Sequence, residues 1–306
     1  MIKPPRLRPG ARISLVAAAG PLAEGAVERA MALVESLGWV PLPGQHARKR
    51  TGYLAGSDDE RAADLQEALD SGDNDAIWLL RGGYGTMRIL PRLDLRPLGG
   101  RPRPLIGFSD NTALHFEAQR QGVVSFHGPH AAAASMPDFS LENLTHLLTN
   151  PEPFGLLAFV SPGGRATTIT AGSTTGRLIG GNLSLLAATV GTPYQVRSRG
   201  SILFIEEVSE PVYRVDRMLS QLLLAGIFEG VAGVALGAFS ECPDEGSATL
   251  PATIEVIQDR LAKLGVPVAF GFPFGHIDHT WTLPMGVEAC LDASLGTLEL
   301  LEGAVV

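Results

Sequence analysis

The chain has 306 residues, 45% of them hydrophobic and 18% charged, a balance that excludes a disordered chain and leaves room for two domains of ordinary size. Its formal charge is −8 with no dense Lys/Arg block, which argues against nucleic acid or an anionic membrane as the main partner. Cys242 and Cys290 stand outside any CxxC pair, so neither a disulfide framework nor a zinc site is expected, and apolar runs such as Leu15 to Ala19 are too short to span a bilayer.

The start, Met1-Ile2-Lys3-Pro4-Pro5, lacks the uninterrupted apolar core of a signal peptide, so a cytoplasmic protein is expected. Arg12 to Val16 reads as a strand that ends in the small-residue turn Ala17 to Pro21. Glu24 to Leu37 carries apolar residues at helical spacing, with Gly38 where a helix-ending glycine belongs. Asp58-Asp59-Glu60 opens a second helix with acids at the positive end of its dipole. Ala76 to Leu80 and Pro104 to Phe108 are continuous apolar runs, as buried parallel strands are, and Thr112 to Gln121 reads as a helix. This alternation predicts a parallel α/β sheet in an N-terminal domain, residues 1–155.

From 156 to 175 the texture becomes small and polar, and this stretch reads as an interdomain linker. A C-terminal α/β domain, residues 176–306, then offers strands at Arg177 to Ile179, Ile202 to Ile205, Val231 to Gly237 and Val268 to Phe272. Helices are expected through Leu185 and Leu186, over Val215 to Leu224 and over Ile254 to Leu264, with further strands around Asp292-Ala293-Ser294.

Four places can carry chemistry. In Gly107-Phe108-Ser109-Asp110-Asn111 a serine follows a buried strand and precedes a helix, the local geometry of a nucleophile elbow, although the second glycine of G-x-S-x-G is missing. Helix capping is the commoner fate of such a serine. Arg81-Gly82-Gly83-Tyr84-Gly85 follows the strand ending at Leu80 and lets backbone approach a ligand, or is a plain tight turn; it matches neither G-x-G-x-x-G nor a P-loop. Glu206-Glu207 closes a strand and can orient an imidazole, or be solvated loop acids. His276 follows a strand beside Gly275; its spacing to His279 suggests a metal only weakly, because no further His/Cys cluster is near, and His127-Gly128-Pro129-His130 is a similar loop. Together these supply a hydroxyl, a carboxylate and an imidazole in the order Ser, Glu, His, split across the linker.

At this point the chain resembles the LD-carboxypeptidase family. The motifs that carry the resemblance run nearly end to end: Tyr53 to Arg61, Arg81 to Gly85, Ile106 to Asp110 with Thr112 to His115, His127-Gly128-Pro129, Gly180 to Leu183, Ile205-Glu206-Glu207 with Tyr213 to Arg217, and Gly275-His276 with Leu283 to Gly286. The resemblance implies an N-terminal domain like class I glutamine amidotransferases, a smaller α/β C-terminal domain, an active site between them and a homodimer. It assigns Ser109 as nucleophile, Glu206 and His276 as its partners, and the backbone amides of Gly83 and Asp110 as oxyanion donors, with no metal and no cofactor. The implied substrate is a small peptide, a murein tetrapeptide that loses its terminal D-alanine during peptidoglycan recycling. Two positions depart from the family pattern: Phe108 replaces a frequent tyrosine and His130 a common apolar residue. Glu207 and Glu210 offer the same chemistry beside Glu206. Rival readings are a microcin-C self-immunity peptidase acting on an aminoacyl-nucleotide analogue, and a non-catalytic α/β protein that binds an anion on the Gly83 loop.

Overall fold

The computed structural model describes residues 1–161, 163–242 and 252–306. They form two compact units, Met1–Pro151 with Ala304–Val306, and Glu152–Gly303.

The first unit alternates strand and helix. Its elements are β1 (Arg12–Val16), α1 (Ala26–Ser36), β2 (Val40–Pro43), α2 (Asp58–Asp70), β3 (Ala76–Leu79), the short α3 (Thr86–Ile89) and α4 (Arg96–Gly100), β4 (Leu105–Gly107), α5 (Thr112–Arg120), β5 (Ser125–His127) and α6 (Asp138–Thr149). The strands pair in the order β5-β4-β3-β1-β2, parallel throughout. Ala76 to Leu79 and Leu105 to Gly107 are buried along their whole length, which is why they read as unbroken apolar runs. In a parallel sheet the loops at the carboxyl ends of the strands gather at one edge. That edge carries Ala17 to Pro21, Arg81 to Gly85, Phe108 to Asn111 and Gly128 to His130. The start of α2 is fixed by a reciprocal cap: Ser57 Oγ accepts the Glu60 N–H, and Glu60 accepts the Ser57 N–H.

The second unit holds β6 (Gly155–Leu156), β7 (Thr167–Thr170), β8 (Ser173–Asn182), α7 (Leu183–Ala188), β9 (Ser201–Val208), α8 (Val212–Leu224), β10 (Gly233–Ser240), α9 (Thr253–Leu261) and β11 (Val268–Phe270). Strands β8, β9, β10 and β11 run parallel at the centre. Antiparallel strands flank them: β7 beside β11, and the hairpin Glu288–Asp292/Thr297–Leu300 beside β8, with β6 beyond it. The stretch 156–175 is therefore not a free linker. Its second half forms β7 and the start of β8, and its polar texture reflects a sheet edge: Thr167 and Thr168 are exposed. Pro162, inside that stretch, lies outside the described residues. Among the described residues no helix is long and apolar enough to cross a membrane.

Candidate active site

Each unit carries one constellation. In the first, β4 ends at Gly107, Phe108 is extended, and Ser109 turns into the left-handed region at φ 58°. A non-glycine residue held there costs on the order of 1–2 kcal/mol, so the turn is imposed by its surroundings. A short 3₁₀ turn, Ser109–Asn111, leads directly into α5. No side-chain capping bond is made at the start of that turn or of α5. Asp110 and Asn111 instead face the glycine loop: Asp110 Oδ2 accepts the Thr86 N–H at 2.8 Å, and Asn111 Nδ2 donates to Thr86 Oγ1 at 3.1 Å. The capping reading thus gives way to a strained elbow.

The glycine loop lies against that elbow. A Cβ added to Gly82 would stand 3.0 Å from Ser109 Cβ, 3.2 Å from Ser109 Oγ and 2.9 Å from His130 Cε1, so a side chain there would cover the hydroxyl. Gly83 and Gly85 have φ values of 101° and 133°, which L-residues with a side chain rarely adopt. The loop is fixed at its near end by the Gly20 N–H, which donates to Gly82 O at 2.9 Å. Of the plain-turn and close-approach alternatives, the packing supports the second.

His130 and Asn111 complete the surroundings. His130 Nε2 donates to Phe108 O at 3.1 Å and to Asn111 Oδ1 at 3.0 Å, and its ring lies 4.5 Å from that of Phe108. The two positions that depart from the family pattern are thus packed on each other. Asn111 escaped the sequence reading; its place directly after the Ser-Asp pair was the available signal. Fully buried His115 bonds Gly107 O through Nε2 at 2.7 Å and Ser125 Oγ through Nδ1 at 2.9 Å, and burial pushes its pKa down to about 4.

In the second unit β9 delivers two acids whose side chains alternate across the sheet. Glu206 is completely buried, and its Oε2 accepts from His276 Nδ1 at 2.6 Å. Glu207 takes its bonds elsewhere, from Asn182 Nδ2, Ser184 N, Ser184 Oγ and Val208 N. Burial holds the Glu207 carboxyl above the usual range despite these donors. His276 approaches Glu206 because Gly275, at φ 113°, precedes it; a Cβ there would stand 2.8 Å from Glu206 Cβ. The loop is tied down by Ser240 Oγ donating to His276 O at 2.7 Å and by Gly275 N donating to Thr280 Oγ1 at 3.1 Å. Burial alone would lower the His276 pKa, but the Glu206 carboxylate and the other acids near it outweigh that and raise it. With Nδ1–H committed to Glu206, the neutral ring carries its lone pair on Nε2. His279 is exposed. Of the residues singled out in the sequence, the structure joins Glu206 to His276 within one unit and joins Ser109, Asp110 and the Gly82–Gly85 loop within the other.

Two family models match the chain, one within each unit. A family model described as the LD-carboxypeptidase N-terminal domain matches residues 13–128, and one described as the LD-carboxypeptidase C-terminal domain matches residues 175–291. A Streptomyces coelicolor protein, provisionally named a carboxypeptidase, is 41% identical over 98% of this chain and 96% of its own. The murein tetrapeptide carboxypeptidase of Pseudomonas aeruginosa is 34% identical over 92% of this chain and 94% of its own. Among solved structures, the apo form of the microcin C7 self-immunity protein MccF superposes with a TM-score of 0.88 at 25% identity, covering all of both chains.

Proposed function

The chain belongs to the LD-carboxypeptidase family, and from that premise we propose that it hydrolyses the L,D-amide bond of murein tetrapeptides and releases the terminal D-alanine. Ser109 is the nucleophile, His276 its base and Glu206 the carboxylate that orients the imidazole. The observation that carries this reading is the 2.6 Å contact between His276 Nδ1 and a wholly buried glutamate. It fixes the tautomer that a serine peptidase needs, with Nε2 as proton acceptor.

In this mechanism Ser109 Oγ attacks the scissile carbonyl while its proton passes to His276 Nε2. The amides of Asp110 and Gly83 hold the oxyanion, each worth about 10²–10³ in rate. As the tetrahedral intermediate collapses, the imidazolium protonates the leaving amine of D-alanine. Water, activated by the same ring, then releases the shortened peptide from Ser109. The work is placed in the cytoplasm during peptidoglycan recycling, by a homodimer, in keeping with the family resemblance.

The test is incubation with murein tri-, tetra- and pentapeptides and an aminoacyl-sulfamoyl nucleotide, followed by mass spectrometry. D-Alanine released from the tetrapeptide, and abolished in Ser109→Ala, is the expected result. Cleavage of the nucleotide conjugate alone moves the protein to the microcin-immunity reading, with which the likeness to MccF is consistent. Tetrapeptide binding without turnover, unchanged in Ser109→Ala, overturns the catalytic reading.

A further inference from the structure

Two buried charges that the mechanism above does not use grip the far end of the glycine loop. Arg61, in the first turn of α2, is fully buried. Its Nη1 donates to Ala18 O at 2.5 Å and to Gly85 O at 2.9 Å, and its Nη2 donates to Asp58 Oδ1. Asp58 is held in turn by Arg88 of α3, through Nε and Nη2. From the other side, the nearly buried Asp110 carboxylate accepts the Thr86 N–H at 2.8 Å. Gly85 C=O and Thr86 N–H are the two ends of one peptide unit. That peptide is gripped at its oxygen by a guanidinium and at its hydrogen by a carboxylate.

Burying charges this completely is costly unless their hydrogen bonds are made well. Here one bond of each group meets at the 85–86 peptide, while Arg61 also ties that peptide to Ala18 O and to Asp58. Gly85 is shaped for the contact: a Cβ on it would stand 2.8 Å from Arg61 Nη1 and 2.7 Å from Leu54 Cδ2. Only Gly83 and Tyr84 separate this clamp from Gly82, whose carbonyl is pinned by Gly20 and whose Cα faces Ser109. Gly82 C=O and Gly83 N–H are likewise one peptide unit, so the Gly83 amide is held on its near side by the Gly20 N–H and on its far side, across the 83–84 and 84–85 peptides, by the clamp on 85–86.

We propose that Arg61 and the carboxylate of Asp110 are positioning residues that aim the Gly83 N–H at the oxyanion formed on the substrate attacked by Ser109. This rests on the reading of Ser109 as nucleophile. Asp110 then acts twice: its own amide is one donor, and its side chain fixes the loop that bears the other. The spacing of the two donors then depends on this clamp together with the Gly20 N–H that holds Gly82 O. Lysine cannot substitute for Arg61, because one ammonium lacks the planar fork that reaches Ala18, Gly85 and Asp58 together.

The experiment compares full-length wild type, Arg61→Lys, Asp110→Asn and Ser109→Ala on the murein tetrapeptide, with circular dichroism and thermal melting as checks on folding. A misaimed oxyanion donor acts on the transition state alone. Arg61→Lys should therefore lose about 30–100-fold in kcat with KM within about twofold. Asp110→Asn, which can still accept from Thr86 but without charge, should lose about 10-fold in the same way. In both, the pH midpoint of the activity limb should stay where it is in wild type, because the imidazole is untouched. A lowered melting temperature with kcat and KM unchanged, or a loss confined to KM, overturns the proposal. Should Arg61→Lys fail to fold, Asp110→Asn carries the same two outcomes. A wild type no faster than Ser109→Ala is the distinct signature that the active-site reading itself has failed.

Discussion

Glu206 and Glu207 are neighbours of identical chemistry with different partners, and strand geometry separates them. Successive side chains on β9 point to opposite faces, so one acid meets His276 while the other is spent on Asn182, Ser184 and the strand's own end. The pH consequence of the first contact can be worked out. The His276 pKa lies above its ordinary 6.5, and the proposed base acts only when neutral, so kcat/KM should rise with pH along a limb centred above 6.5. Glu206→Gln removes the carboxylate and leaves burial, which lowers the pKa. The limb should move down in pH, and the plateau should fall by about 10³–10⁴ as the tautomer is lost. A pH–rate series on both proteins measures this; a limb that stays in place would detach Glu206 from the imidazole. Gly82 gives a second expectation at this scale. Its Cβ would meet the His130 ring and the Ser109 side chain, neither able to yield without disturbing the elbow. Gly82→Ala should still fold, with its melting temperature lowered by an overpacking cost of about 1–3 kcal/mol, and lose about 10²-fold or more in kcat/KM.

At the level of elements, what the sequence disclosed follows burial. The runs Ala76 to Leu80 and Pro104 to Phe108 were legible because both faces of β3 and β4 are covered. Strand β2 was not picked out, since Pro41 and Pro43 each lack a backbone donor; it survives because it stands at the end of the sheet. The polar stretch 156–175 deceived in the same manner, an edge strand carrying threonines in place of apolar residues. The elbow's strain at Ser109 and the hydrogen bonds of Asp110 toward the loop were invisible, because φ and side-chain direction are decided by residues distant in sequence. The joint between β4 and α5 has its own pH signature through His115. Burial lowers its pKa to about 4, so between there and 6.5 the unfolded chain binds more protons than the folded one. Stability should be complete above pH 6.5 and fall as pH drops through that window, by about 3 kcal/mol in full. Urea unfolding at pH 7, 5.5 and 4.5 reads the slope, and His115→Gln should flatten it.

For the whole molecule, a chain of two α/β halves, with Ser109 in the first and Glu206 and His276 in the second, was readable. The division point was not. It falls after Pro151, and the last three residues return to the first unit. No sequence pattern signals that return, because it is made by backbone: Arg6 N donates to Val306 O at 2.8 Å and Val306 N donates to Pro4 O at 3.0 Å. Ala304 and Val305 are buried there. Two hydrogen bonds at about 1 kcal/mol each, and a buried valine worth about 1.5–3 kcal/mol, give the tail a stabilising share of roughly 3–5 kcal/mol. Removing residues 304–306 should therefore lower the stability of the first unit by that order while leaving the Glu206–His276 pair chemically intact. Hydrogen exchange read by mass spectrometry is the suitable measurement, since it resolves the two units separately. Protection should fall in peptides covering Pro4 to Leu7, and in α6, where Leu148 O accepts the Leu7 N–H at 2.8 Å. Unchanged protection in those peptides would show that the returning tail contributes nothing to the unit it joins.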